Sequence, residues 1–118
     1  MIDWKKQDKC IFRNFDEAVD HHDIVKTLLM RMLRRKHPNR RKVCIYSEFA
    51  MSDRGIGDIW MKDENSDIYV FEIQKDINKY WIKSIQERYQ DVNLIIVPLK
   101  EMPKTFERLR KKLEVYVV

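Results

Sequence analysis

Two carboxylates interrupt runs that otherwise read as buried strand. Asp58 sits between Gly57 and Ile59-Trp60-Met61, and Glu72 between Tyr69-Val70-Phe71 and Ile73. An ionised carboxylate in a half-buried strand costs free energy unless it is paired or holds a metal. Alternation along the later run turns Ile68, Val70, Glu72 and Gln74 to one face, and Tyr69, Phe71, Ile73 and Lys75 to the other. Asp58 falls opposite Glu72 if the loop between the two strands has an odd length, either Glu64 to Ser66 or Asp63 to Asp67; an even loop without a bulge separates them. Side chains directly across a strand pair approach to about 5 Å at Cβ. Two carboxylates at that spacing suit shared ligation of Mg²⁺ or Mn²⁺. The competing reading is a pair of edge carboxylates neutralised by neighbouring arginines.

Other residues could join such a site. Both glycines fall in Arg54-Gly55-Ile56-Gly57-Asp58, where the backbone must turn sharply or leave room for a ligand. Glu48 shares a strand face with Tyr46 and Ala50 and is the preferred further acid, with a solvent-facing salt bridge as its alternative. Glu17 borders a helical stripe, and Asp23 points away from it. His21 and His22 diverge by about 100° on a helix and do not readily share one ion; His21, beside the stripe, reads as a hydrogen-bonded helix histidine.

Positive charge is concentrated in two places. Arg31, Arg34, Arg35, Lys36, Arg40, Arg41 and Lys42 form one cluster, and Lys104, Arg108, Arg110, Lys111 and Lys112 a second. Each is either a solvated face or a surface that tracks phosphates. On the second reading Arg34, Arg35, Lys36, Arg40, Arg41, Lys42 and Arg54 hold a nucleic-acid backbone with little base readout.

These residues need elements to position them. After a lead-in around Cys10-Ile11-Phe12, Asn14 to Glu17 reads as a helix start. Ala18, Val25, Leu28, Leu29 and Met32 mark an apolar stripe, and Pro38 ends the helix near Lys36-His37. Strands are expected at Val43–Ala50, Ile56–Met61 and Ile68–Gln74. A helix from about Asp76 to Gln90 follows, with Ile77, Trp81, Ile85 and Tyr89 inward and Tyr80 off the main stripe. Leu94–Val97 reads as a buried strand, Pro103 opens a helix through Leu113, and Glu114–Val118 closes as a strand. The expected fold is α/β, one mixed β-sheet flanked by helices in the order αβββαβαβ.

The segment Glu48…Gly57-Asp58…Tyr69-Val70-Phe71-Glu72-Ile73-Gln74 resembles the PD-(D/E)xK, or restriction-endonuclease-like, nuclease superfamily. The resemblance covers residues 15 to 118 in element order and rests on four diagnostic residues. It implies phosphodiester hydrolysis, with Asp58, Glu72 and the backbone carbonyl of Ile73 as metal ligands and a further glutamate, here Glu48 or Glu17, in the shell. The family carries lysine two positions after the second acid. This chain has Gln74, which can orient a water but supplies no cation. Lys75 is expected to face the wrong way, and Lys79 and Lys83 fall off the inner face of their helix. Arg88 falls on that face, as a replacement charge or in an ion pair. Small size and a basic surface are similar to archaeal and viral Holliday-junction resolvases of this superfamily, which implies DNA rather than RNA, branched or single-stranded substrates, and a homodimer.

Composition sets the outer bounds. The chain has 118 residues, 44% hydrophobic and 36% charged, with a net charge of +5 and a pI of about 9.2. This fits a single domain, residues 1–118, with one core. No apolar run approaches a membrane span. The N-terminal Met1-Ile2-Asp3-Trp4-Lys5-Lys6 carries no apolar signal core. Cys10 and Cys44 read as reduced thiols. The expected setting is the cytoplasm, or that of a host cell for a viral protein. Three functions stay in play: a Mg²⁺- or Mn²⁺-dependent nuclease, a nucleic-acid-binding protein on the same fold without turnover, and a small protein-interaction module.

Overall fold

Val25, Leu29 and Leu33 recur every four residues and are wholly buried, so the helix that carries them, α1 (Glu17–Lys36), presents one continuous apolar row to the sheet. The computed structural model describes residues 17–49 and 56–118, with side chains from residue 21 onward. The lead-in around Cys10, the cap at Asn14, Ala50, Arg54 and Gly55 lie outside the described residues, as do the side chains of Glu17 and Ala18.

Four strands follow in chain order across one sheet: β1 (Cys44–Ser47), β2 (Ile59–Lys62), β3 (Ile68–Gln74) and β4 (Asn93–Pro98). β1, β2 and β3 form an antiparallel meander, and β4 pairs parallel with β3. The parallel step needs a crossover, which α2 (Lys79–Arg88) provides. Asn78 caps α2, its Oδ1 accepting the Trp81 amide at 2.9 Å. A short 3₁₀ turn (Leu99–Glu101) leads to α3 (Phe106–Leu113).

Among the described residues the fold is thus α/β, with a four-stranded mixed sheet and three helices. Two apolar layers sandwich the sheet. On one face α1 and α3 bury Ile59, Met61, Phe71, Ile73 and Val97. On the other, Val70 packs with Ile85 of α2 and with Tyr89 at its C-terminal cap, flanked by Trp60, Trp81, Leu94 and Ile96.

Three expectations need correction. β1 stops at Ser47 rather than Ala50, because Glu48 adopts a left-handed φ of 52° that an extended strand does not accommodate. β2 begins at Ile59 rather than Ile56, which makes only an isolated bridge, and Asp58 lies in a bend. The closing strand at Glu114–Val118 is absent. The chain instead continues from α3 into a 3₁₀ turn (Glu114–Tyr116), and Tyr116, Val117 and Val118 pack against the main core without joining a ladder. The β-branched character of Val117 and Val118 accompanies partial burial rather than pairing.

The β2–β3 loop settles the register. It spans Asp63 to Asp67, the five-residue alternative, between paired Lys62 and Ile68. Asp63 Oδ1 accepts the amides of Asn65 and Asp67, both at 2.9 Å, and Ser66 takes a φ of 65°. An aspartate that binds its own turn fixes the loop length locally, and the odd count keeps the parity that sets Asp58 opposite Glu72 one step beyond the Ile59–Phe71 pair.

Candidate functional site: an acid pair at the end of the sheet

Asp58 and Glu72 line one open cleft of about 410 Å³, together with His22, Ile56, Ile73, Gln74, Lys75 and Leu99. It opens beyond the carboxyl ends of β3 and β4, the usual place for a ligand in an open α/β sheet. Neither acid is loose. Asp58 Oδ2 accepts the Ile73 amide at 2.7 Å, and Oδ1 lies 3.1 Å from His22 Nε2. Glu72 is only 8% exposed, and its Oε1 accepts the Tyr89 hydroxyl at 2.9 Å. Helices from both sides of the sheet therefore meet here, α1 through His22 and the end of α2 through Tyr89.

Electrostatics mark the pair as frustrated. Burial, and then the charge of Asp58, push Glu72 up to about 7; the Tyr89 hydrogen bond and the charges of Arg88 and His22 oppose that rise. The hydrogen bond to Asp58 raises His22 above its ordinary value against the opposing effect of burial. Burial, followed by the neighbouring Glu72 charge, holds the Tyr89 hydroxyl far above the usual phenol range. Two like charges in a poorly solvated cleft are an arrangement that a cation relieves.

The other expected residues divide. Gln74 lines the cleft, and its Nε2 donates to the Asp76 carbonyl at 3.3 Å. Lys75 also lines it, contrary to the alternation argument, because β3 ends at Gln74 and the parity of a strand does not extend into the following bend. A lysine thus stands at the site one residue later than the family pattern places it. Glu48 is not among the lining residues. Its carboxylate pairs with Lys26 Nζ at 2.7 Å, the salt-bridge alternative, and Lys26 also lies 3.7 Å from Asp23. Gly57 has no positive φ among the described residues; a side chain there would run into the Phe49 ring. The space is reserved for Phe49 rather than for a ligand.

His22 is the residue that sequence reasoning missed. Its signal was present: His22, Val25 and Leu29 lie at helical spacings of three and seven, on the row that Leu33 extends. Omitting Leu33 shifts the inferred centre of the stripe away from His22; His21, expected as a hydrogen-bonded helix histidine, is indeed buried at 6% exposure with Nε2 3.4 Å from the Pro103 carbonyl.

The basic cluster lies elsewhere. Arg34, the first cation of the last turn, follows His22 by twelve residues on α1, so the charged turn begins about 18 Å along the helix from the acid cleft. Arg34 is occupied structurally, its Nη1 donating to the carbonyls of His37 and Val43, both at 3.0 Å. Arg35, Arg40, Arg41 and Lys42 are exposed. Arg35 and Lys36 border a second open cleft of about 390 Å³ with Met32, Arg110, Glu114 and Val117.

Among the described residues no three His, Cys, Asp or Glu side chains form a ready-made metal shell. The oxygen donors present fit a hard divalent cation of the Mg²⁺ type, which takes one or two carboxylates and fills its remaining positions with water and phosphate. Among the same residues no helix is long and apolar enough to cross a membrane, and Cys44 is a free thiol. Compared with family models, with curated proteins and with solved structures, the chain finds no match in any of the three.

Proposed function

We propose that this chain is a divalent-cation-dependent nuclease that hydrolyses phosphodiesters of nucleic acid, DNA in the first instance. One observation carries the reading: Asp58 and Glu72 line one cleft, where burial, and then the charge of Asp58, lift Glu72 to about 7. The element order from α1 through β4 is compatible with a restriction-endonuclease-like core.

In this reading Asp58, Glu72 and the Ile73 carbonyl hold Mg²⁺ or Mn²⁺. When bound, the cation would supply a water of lowered pKa and would polarise a phosphoryl oxygen. The chain's own groups do the rest. His22 and the Ile73 amide fix the two oxygens of Asp58. Tyr89 fixes Glu72 and favours its ionised form. Gln74 orients a water at the mouth of the cleft, and the Lys75 ammonium offsets phosphate charge as the attacking oxygen approaches.

A second reading, nucleic-acid binding without turnover, is favoured by Gln74, whose amide nitrogen is engaged by Asp76 and supplies no cation. Labelled single strands, duplexes and four-way junctions, each with Mg²⁺ and with Mn²⁺, decide between the two. Cleavage that falls at least roughly 100-fold in Asp58→Asn and in Glu72→Gln supports the nuclease. Binding without cleavage under either metal leaves the second reading, and absence of binding at moderate salt rejects both.

A further inference from the structure

The sheet face that carries Glu72 is covered by α2 mainly over β3 and β4. Toward the other edge the register sets Tyr46 opposite Trp60 and Cys44 opposite Lys62. Trp60 and Lys62 share one side of β2, and Asp58 lies in the bend just ahead of that strand. The rings of Tyr46 and Trp60 stack at 5.5 Å with a 37° tilt. Trp60 is half-buried against the Val70, Ile85 and Tyr89 cluster, but Tyr46, on the edge strand, is 57% exposed. Lys62 is exposed one step further from the cleft, and Ile56, 68% exposed, forms an apolar lip on the cleft itself.

A large aromatic left uncovered beside a second ring, with a cation on one flank and an acid-lined cleft on the other, is chemically specific. Base–aromatic stacking accepts any base but requires that the base be unpaired, because a duplex offers only edges and backbone. The flanking lysine and the net charge of +5 complement a polyanion. From Asp58 to Lys62 the strand advances about 14 Å, a few nucleotides of chain.

We infer that the β1–β2 face is a track for single-stranded nucleic acid, in which an unpaired base stacks on the Tyr46–Trp60 pair, Lys62 meets a phosphate, and the strand continues into the Asp58–Glu72 cleft. The last step rests on the nuclease reading; the stacking does not. The track selects unpaired strands, and it explains why an edge strand of four residues exposes a tyrosine rather than a charge.

The test is binding of labelled strands of about 12 nucleotides, DNA and RNA, against a duplex of the same sequence, by anisotropy with EDTA present so that nothing is cut. Single strands should bind about tenfold or more tightly than duplex. Tyr46→Ala should weaken strand binding about tenfold, and Tyr46→Phe should stay within about twofold of wild type. Lys62→Gln should weaken binding a few-fold and reduce its salt dependence by about one ion. Tyr46 sits at the exposed edge, so its substitution does not test folding; Trp60→Phe serves for the buried ring, and should keep most of the affinity. Duplex binding equal to that of single strands, or Tyr46→Ala indistinguishable from wild type, overturns the track. Cleavage lost in Asp58→Asn together with unchanged binding in Tyr46→Ala removes the track and leaves the nuclease. Binding lost in Tyr46→Ala without cleavage under any metal removes the nuclease and leaves the track.

Discussion

The Tyr89 hydroxyl donates a 2.9 Å hydrogen bond to Glu72 Oε1 inside the protein, so the end of α2 holds an acid that β3 alone would leave poorly solvated. A hydrogen bond to an ionised acceptor contributes about 1.5–3 kcal/mol. Tyr89→Phe should therefore destabilise the metal-free protein by about that amount at pH 8, where Glu72 is charged, and by less at pH 5. Urea denaturation at the two pH values measures the difference.

Glu72 itself should oppose stability at alkaline pH. Its folded-state value of about 7 lies above its ordinary 4.5, so the folded chain retains a proton that the unfolded chain has released. The stability it contributes is complete below about 4.5 and is lost as pH rises through 7. Glu72→Gln should match wild type near pH 4.5 and exceed it by roughly 3 kcal/mol at pH 8, both without metal. A gain of that kind at a residue proposed to bind metal is the expected exchange of function for stability.

His22 has the same sign and a different window. Its folded value is raised, chiefly by the hydrogen bond to Asp58, so its contribution is complete below about 6.5 and fades above its folded value. His22→Ala should cost about 1 kcal/mol at pH 5.5 and little at pH 9. Thermal melts across that range, again in chelator, report the crossover.

Arg34 and Arg35 are neighbours with opposite expected phenotypes. Arg34→Ala removes the donor to the His37 and Val43 carbonyls and should destabilise the protein by about 1–2 kcal/mol, with Lys a poor substitute because it lacks the guanidinium fork. Arg35→Ala should leave the melting temperature unchanged. If nucleic acid uses this face, it should weaken binding uniformly across sequences and lower the salt slope by about one. Paired melting and binding curves separate the two.

Gly57→Ala tests the packing that supports the site. The added methyl meets the Phe49 ring, which lies against Tyr89 at a centroid distance of 6.3 Å. A loss of about 1–3 kcal/mol is expected from overpacking. Phe49→Leu, which frees part of the space, should recover some of that loss in the double variant, as a double-mutant cycle would show.

How much of this was legible follows from the range over which each rule acts. The face of Glu72 could be read from alternation along seven residues, and the parity of Asp58 from a loop whose Asp63 fixes its own turn. Both are local. The bend after Gln74 defeated the same rule at Lys75, because alternation ends where the ladder ends. The left-handed Glu48 likewise cut β1 short, and no pattern in the sequence announces it. His22 against Asp58 and Tyr89 against Glu72 join elements distant in the chain. Only the general demand that a buried hydroxyl find a partner pointed to Tyr89. The terminal valines were read by composition as a strand, but apolar composition records burial and not the pairing partner.

The span of α1 sets a scale for any polymer on this surface. His22 and the arginine turn that begins at Arg34 stand about 18 Å apart, about five nucleotides of stacked chain. If nucleic acid binds this surface, a fragment of two or three nucleotides would reach the acids or the basic turn but not both. On the proposed nuclease reading the helix would act as a ruler, its two ends combining their effects only on strands long enough to bridge them.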